Sequence, residues 1–159
     1  MTMRIGQGFD IHRFSNDATR PLKLGLVTVP NAAGLEGHSD ADAVAHAVAD
    51  ALLGAAGLGD IGEHFSDTDA TWSGADSRML LTLVVQKVRD AGFVIENVDV
   101  TVIAEAPKLG DLKAAMVREL TVVIGAPVSV KATTMERLGP IGNKEGIAAL
   151  AVALLKEQA

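Results

Sequence analysis

Apolar residues recur at helical spacing most clearly over Asp42 to Ala56. Val44, Val48, Ala51, Leu52 and Ala55 repeat along one side, and Gly57 and Gly59 follow as stop signals. Two further helices are predicted, Asp76 to Asp90 behind a polar cap and Leu109 to Ile124 ahead of Gly125 and Pro127. Arg4 to His12 reads as a strand that runs into the turn-prone Ser15-Asn16-Asp17. Leu22 to Leu24 and Leu26 to Val29 read as short strands around Gly25, stopped by Pro30-Asn31. Phe93 to Ala106 is β-branched and partly alternating, with Val98, Val100 and Val102 set against Asp99 and Thr101, so it reads as a strand closed by Pro107. Val128 to Thr133 reads as another. The stretches Asn31 to Asp40 and Gly59 to Gly74 read as loops. Ile147 to Leu155 is continuously apolar, and the pattern fits a helix as well as a buried strand.

No repeat, linker or low-complexity tract divides the 159 residues, which predicts one domain over positions 1–159. Hydrophobic residues at 48% and charged residues at 21% exclude a disordered chain. With 3% aromatics and a net charge of −6, neither base stacking nor a general nucleic-acid or anionic-membrane surface is expected. The chain has no cysteine, so any transition metal must be held by histidine and carboxylate. The N-terminal Met1-Thr2-Met3-Arg4 lacks the apolar core of a signal peptide, and no apolar run is long enough to span a bilayer. The expectation is a soluble cytoplasmic protein.

Four clusters carry candidate chemistry. Asp10 and His12, two apart on a strand, point to one face, and His46 interrupts an apolar helix on a stripe with Asp42 and Asp50. One Asp and two His supply three ligands, the pattern of a catalytic zinc with an open position. An ordinary turn and a satisfied core histidine fit the same residues. Asp42 and Asp50 fit either partners of the imidazole nitrogens or plain helix-face acids. In Gly37-His38-Ser39-Asp40, His38 reads as a mobile anion contact or as a surface residue before a Ser or Asp cap. Asp60-Ile61-Gly62, continuing to Phe65-Ser66-Asp67-Thr68-Asp69, suits the hydroxyls of a polyol and equally reads as an ordinary acidic, glycine-containing loop. Lys131-Ala132-Thr133-Thr134-Met135-Glu136 leaves a strand with hydroxyls and amides for a phosphate and a carboxylate for Mg²⁺, while Ala104 to Lys108 reads as the wall of a flat ligand or a simple turn.

These segments, in this order, resemble the 2-C-methyl-D-erythritol 2,4-cyclodiphosphate synthase family. The matching stretches are Gly8 to His12, Gly37 to Gly62, Gly74 to Arg78, Ala106 to Lys108, Lys131 to Thr134 and Glu145 to Ala148. The resemblance implies an α+β domain with a mixed β-sheet packed on one side by helices, and a homotrimer with active sites at subunit interfaces. It makes Ile147 to Leu155 a strand. It implies Zn²⁺, or another divalent transition metal, on Asp10, His12 and His46, and transition-state contacts from His38 and Thr134. Asp60, Ile61, Gly62, Phe65 and Asp67, with Ser39, would hold the methylerythritol. Ala104, Pro107, Lys108, Ala132 and Thr133 of a neighbouring subunit would line the cytidine pocket. Met135 and Glu136 would lie at the diphosphate, with Glu136 holding Mg²⁺ or Mn²⁺.

The activity implied is closure of 4-diphosphocytidyl-2-C-methyl-D-erythritol 2-phosphate to a cyclodiphosphate with loss of CMP, in non-mevalonate isoprenoid biosynthesis. The rival readings are a metal-dependent phosphohydrolase and a non-catalytic trimer that binds prenyl phosphate or metal. The chain departs from the family at Met135, where a third Thr is usual, and across Leu138 to Asn143, which lacks an aromatic residue and an arginine. It departs again at Leu150, where some members carry glutamate, and at Leu109 to Met116, which lacks a proline-and-histidine connection. The missing arginine argues against a prenyl diphosphate on the trimer axis.

Overall fold

The computed structural model describes residues Met1–Ala159. Strands β1 (Met3–Arg13), β4 (Phe93–Ile103), β5 (Val128–Thr133) and β6 (Gly146–Glu157) form one sheet in the order β1-β6-β4-β5. β6 runs antiparallel to both β1 and β4, whereas β4 and β5 are parallel. A parallel pair needs a crossover, supplied here by helix α4 (Leu112–Ile124). Helices α1 (Ala43–Ala56) and α3 (Ser77–Asp90) complete the layer over the sheet, and β2 (Leu22–Leu24) pairs with β3 (Val27–Val29) as a small ribbon. The architecture is the expected α+β one, with a mixed sheet covered on one side by helices.

The continuous apolarity of Ile147 to Leu155 is that of a central strand. Ile147, Ala149, Ala151, Ala153 and Leu155 alternate onto the helix-covered face and are buried. Leu150, Val152 and Leu154 point the other way, beside Ile5, Phe9 and Ile11 of β1. That second face carries no helix, and Ile5 is 74% exposed, Phe9 50% and Val152 44%. An apolar sheet face of this kind marks a contact surface.

Three boundaries depart from the pattern reading. Leu26 has a φ of 66°, so it turns the chain and β3 begins at Val27. β4 stops at Ile103, ahead of the exit turn that holds Ala106-Pro107. The first turn of the expected third helix is consumed by the Leu109–Asp111 turn, and α4 starts at Leu112. The loops also hide two short helices, α2 (Ile61–His64) and α5 (Gly139–Gly142), and a 3₁₀ turn at Ala70–Trp72.

How closely α1 lies on β1 sets the rest of the geometry. Gly6 and Gly8 face the helix, and a methyl on Gly6 would fall 2.0 Å from the Ala51 carbonyl oxygen. On Gly8 it would fall 1.9 Å from that of Ala47. Ala47, Ala51 and Ala55, four apart, present the matching small side of α1. Gly8→Ala is therefore expected to cost about 3 kcal/mol or more by overpacking. Gly54→Ala, on the same helix with nothing within 4 Å of the added carbon, should gain roughly 1 kcal/mol. Urea unfolding midpoints of the two variants would read both effects.

Candidate active site

Asp10 and His12 sit two and four residues beyond Gly8, on the same face of β1. Because α1 lies directly on the glycines, His46 descends onto that pair. Asp10 Oδ2 is 2.8 Å from His12 Nε2 and 3.1 Å from His46 Nδ1. One ligand atom from each residue lies within 4.8 Å of the others.

The protonation of this cluster follows from its outer contacts. His12 Nδ1–H donates to the Glu36 carbonyl at 2.6 Å, which leaves Nε2 with a lone pair. That buried nitrogen makes no hydrogen bond, despite its closeness to Asp10. A lone pair facing a carboxylate is repulsive unless a cation lies between them. The orphaned nitrogen, the carboxylate and the second imidazole thus form a donor set suited to a divalent transition metal.

Electrostatics point the same way. Burial opposes ionisation of Asp10, but the adjoining His12 and His46 rings outweigh it and hold its carboxyl well below the usual range. Burial likewise opposes charging of His46, yet the hydrogen bond and charge of Asp10, with the charges of Asp42 and Asp40, raise its pKa. The site concentrates negative charge around the imidazoles, as a cation requires.

Asp42 and Asp50 share the His46 stripe but do not touch its ring. Asp42 is fully buried, caps α1 through Ala45 N, and accepts from Gly25 N at 2.9 Å and Leu26 N at 2.7 Å, so it pins the β2–β3 turn. Burial nevertheless raises its pKa. Asp50 accepts from Ile61 N at 2.8 Å and so braces the Asp60-Ile61-Gly62 segment, and burial raises its carboxyl as well. Both therefore position backbone rather than imidazole. The expected Ser39 or Asp40 cap is corrected too: Asp42 caps α1, while Asp40 accepts from the Ser77 amide at the start of α3.

A cavity of about 440 Å³ opens beside the cluster, lined by His12, His46, His38, Ser39, Ile61, Gly62, Phe65 and Asp67 together with Trp72. Asp60 caps α2 through Glu63 N at 3.0 Å and is not among the lining residues. Phe65 meets Trp72 edge to face, with ring centroids 4.9 Å apart. His38 Nε2 lies 3.3 Å from the Asp69 carbonyl oxygen.

The remaining predicted residues gather elsewhere. Ala104, Pro107, Lys108, Ala132, Thr133 and Thr134 line a second cavity of about 200 Å³ at the ends of β4 and β5. It shares no lining residue with the first. Glu136 accepts from Thr134 Oγ1 at 3.2 Å, beside Met135. Within one chain, Thr134 and Glu136 are thus not brought to the Asp10 cluster.

Two positioning residues escaped the sequence reading. The Arg20 guanidinium donates to the carbonyls of Gly37, at 3.2 Å, and of Ser39, which flank His38. Glu105 accepts from Met135 N at 2.9 Å and Arg137 N at 3.2 Å, holding a turn in which Glu136 and Arg137 have φ of 51° and 65°. A lone arginine in a turn and a glutamate at a strand exit carry no periodic signal. The Thr134-to-Glu136 segment did.

A strand carboxylate with two imidazoles, opening on a cavity, makes a candidate metal site on an α+β fold. The chain belongs to the YgbB family, whose sequence profile matches residues 3–156. It is 56% identical over 161 residues to 2-C-methyl-D-erythritol 2,4-cyclodiphosphate synthase of Laribacter hongkongensis, covering 99% of this chain and 98% of that one. It is 57% identical over 155 residues to the synthase of Bordetella petrii, covering 96% and 94%. Among solved structures, the bifunctional IspDF from Campylobacter jejuni superposes with a TM-score of 0.93 at 45% identity, over 98% of this chain and 42% of that longer one. The Plasmodium falciparum IspF CDP complex superposes with a TM-score of 0.85 at 34% identity, over 99% and 97%. No helix of the chain is long and apolar enough to cross a membrane.

Removing Arg20 should release the His38 segment. Hydrogen bonds to a charged donor contribute about 1.5–3 kcal/mol. In Arg20→Ala, amide hydrogen exchange across Gly37 to Asp40 is therefore expected to quicken by about tenfold or more, with α1 still protected, as mass spectrometry would report.

Proposed function

We propose that this chain converts 4-diphosphocytidyl-2-C-methyl-D-erythritol 2-phosphate to 2-C-methyl-D-erythritol 2,4-cyclodiphosphate and CMP, in non-mevalonate isoprenoid biosynthesis. One observation carries the reading: the Asp10, His12 and His46 cluster opens directly into the cavity lined by Gly62, Phe65 and Asp67. The synthases to which the chain is similar favour neither a phosphohydrolase nor a non-catalytic binding module.

The reaction closes a ring within one molecule. An oxygen of the 2-phosphate attacks the terminal phosphorus of the diphosphate, and the bond to CMP breaks as CMP leaves with the electron pair. The attacking oxygen is already ionised, so no side chain need remove a proton. What opposes the reaction is repulsion between anions and the entropy of folding a flexible chain. Zn²⁺ on Asp10, His12 and His46, and Mg²⁺ or Mn²⁺ on Glu136, would supply Lewis-acid polarisation and charge neutralisation. The protein's own groups supply the rest. Asp60 and Gly62 grip the erythritol hydroxyls, with Ile61, Phe65, Asp67 and Ser39 fixing the sugar. Well-oriented intramolecular reactions gain about 7–11 kcal/mol from such positioning. His38 and Thr134 donate to the phosphoryl oxygens where charge accumulates. Ala104, Pro107, Lys108, Ala132 and Thr133 hold the cytidine, and Met135 lies at the diphosphate.

Two observations support a homotrimer. The two cavities on one chain share no residue, and the sheet face bearing Ile5, Phe9 and Ile11 is bare. In a homotrimer closed on that face, the cytidine half of one subunit meets the metal half of the next. The setting for such an enzyme is the cytoplasm.

Incubation of the protein with substrate and Mg²⁺ should yield cyclodiphosphate and CMP by phosphorus NMR, and a zinc chelator should abolish both. Inorganic phosphate as the product would mean a hydrolase instead. His46→Ala should lose bound zinc and most activity, while Asp60→Ala should keep the zinc and raise KM, as elemental analysis and kinetics would show. Light scattering should give three times the chain mass, and Phe9→Asp should lower it to that of a single chain.

A further inference from the structure

We propose that Ser77 and Asp40 are positioning residues that fix the tautomer of His46 and so keep its metal-facing nitrogen free to bind. The inference rests on the metal-site reading above and concerns residues outside it. Ser77 begins α3, is 1% exposed, and its Oγ lies 3.2 Å from His46 Nε2, on the opposite side of the ring from Asp10. The polarity of that contact is set by Asp40. Its carboxylate accepts the Ser77 amide at 2.9 Å and the Ser77 hydroxyl proton as well. A carboxylate has no proton to give back, so the Ser77 oxygen has only lone pairs left to offer His46. His46 Nε2 must therefore carry a ring proton and donate it, so that when a cation takes the place of the Nδ1 contact to Asp10, Nδ1 is the nitrogen left to offer a lone pair.

Ser39 cannot set this polarity alone. Its Oγ also lies 3.2 Å from His46 Nε2 and accepts from Ala41 N at 3.3 Å, but no acceptor claims its hydroxyl proton, which is free to turn either way. Asp40 is itself held, by its amide on the Ala75 carbonyl at 3.2 Å and by Asp42 N at 3.2 Å. The carboxylate, hydroxyl and imidazole thus form a one-directional chain from the α1 cap segment through the start of α3 to the metal-facing edge of His46. Outer partners of this kind typically govern metal affinity by ten- to a hundredfold.

The test uses the full chain labelled with ¹⁵N-histidine and titrated with Zn²⁺ alone, against a chelator of known affinity. Wild type should show His46 protonated at Nε2, with a slowly exchanging ring proton. Ser77→Ala should weaken Zn²⁺ binding by about ten- to a hundredfold and lose that slow proton, with thermal unfolding little changed. Ser77→Thr, which keeps the hydroxyl, should restore both. Should Ser77→Ala fold poorly, Asp40→Asn supplies the second arm. Its amide donates to Ser77 Oγ, turns the serine proton toward His46 and should weaken Zn²⁺ at least as much. Zn²⁺ binding within twofold of wild type and an unchanged His46 signal in these variants would overturn the inference while leaving the metal site intact. Absence of Zn²⁺ uptake by the wild-type chain would overturn the metal site itself, and this inference with it.

Discussion

Backbone-to-backbone approach of α1 to β1 is the constraint on which the rest depends. A helix ordinarily rides on a sheet at side-chain distance, and here Gly6 and Gly8 remove that spacer. The glycines weaken the strand in isolation, because they lose more entropy on ordering and offer nothing to pack. Burial of nearly all of α1 offsets that loss, and its alanines let it sink between the sheet and α3. The consequence is local. Just past the last glycine, a helix residue and two strand residues come within reach through short side chains. Aspartate and histidine then suffice where a wider gap would need longer, floppier ligands.

Placing a carboxylate and two imidazoles under a helix is expensive unless every polar atom is answered. The structure answers nearly all of them from one stretch, Glu36 to Asp42. The Glu36 carbonyl takes the His12 proton, Ser39 approaches His46, Asp40 holds Ser77, and Asp42 closes the β2–β3 turn. Arg20 pins the stretch from outside. Of the cluster's own atoms, the one left over is His12 Nε2; the other buried side-chain atom without a partner is Arg20 Nε, outside it. An unanswered lone pair amid otherwise complete partnering is better understood as a place kept for a cation than as a packing fault.

Much of this was legible from residue order. The three long helices and strands β1, β4 and β5 follow from periodicity and alternation, chemistry offered Asp10, His12 and His46 as candidate ligands that the family resemblance joined at one site, and the helical stripe placed Asp42 and Asp50 near His46. Their partners were not legible. An acid four residues from a histidine shares its face, but whether it reaches ring or backbone depends on what tertiary structure lays against that face. Here the β2–β3 turn takes Asp42 and the Ile61 amide takes Asp50. The roles of Ser77 and Arg20 were not legible for the same reason, since each acts on residues more than fifteen positions away. β6 was ambiguous because periodicity requires one face to differ from the other, and both faces of this strand are apolar.

That second apolar face also bears on how the proposed chemistry is assembled. A lone chain exposes Ile5, Phe9 and Val152 on a sheet with no covering layer, a costly arrangement in water unless another surface meets it. The same sheet ends in the second cavity at the tips of β4 and β5, while the metal cluster lies on the helix side of β1, at the opposite edge in the order β1-β6-β4-β5. In the proposed trimer, one chain's β5 edge meets the next chain's β1 edge. On the proposed reading, the surface that drives assembly and the chemistry that needs assembly are two consequences of one sheet. A substitution that dissociates the trimer would then abolish cyclisation without altering a single metal ligand.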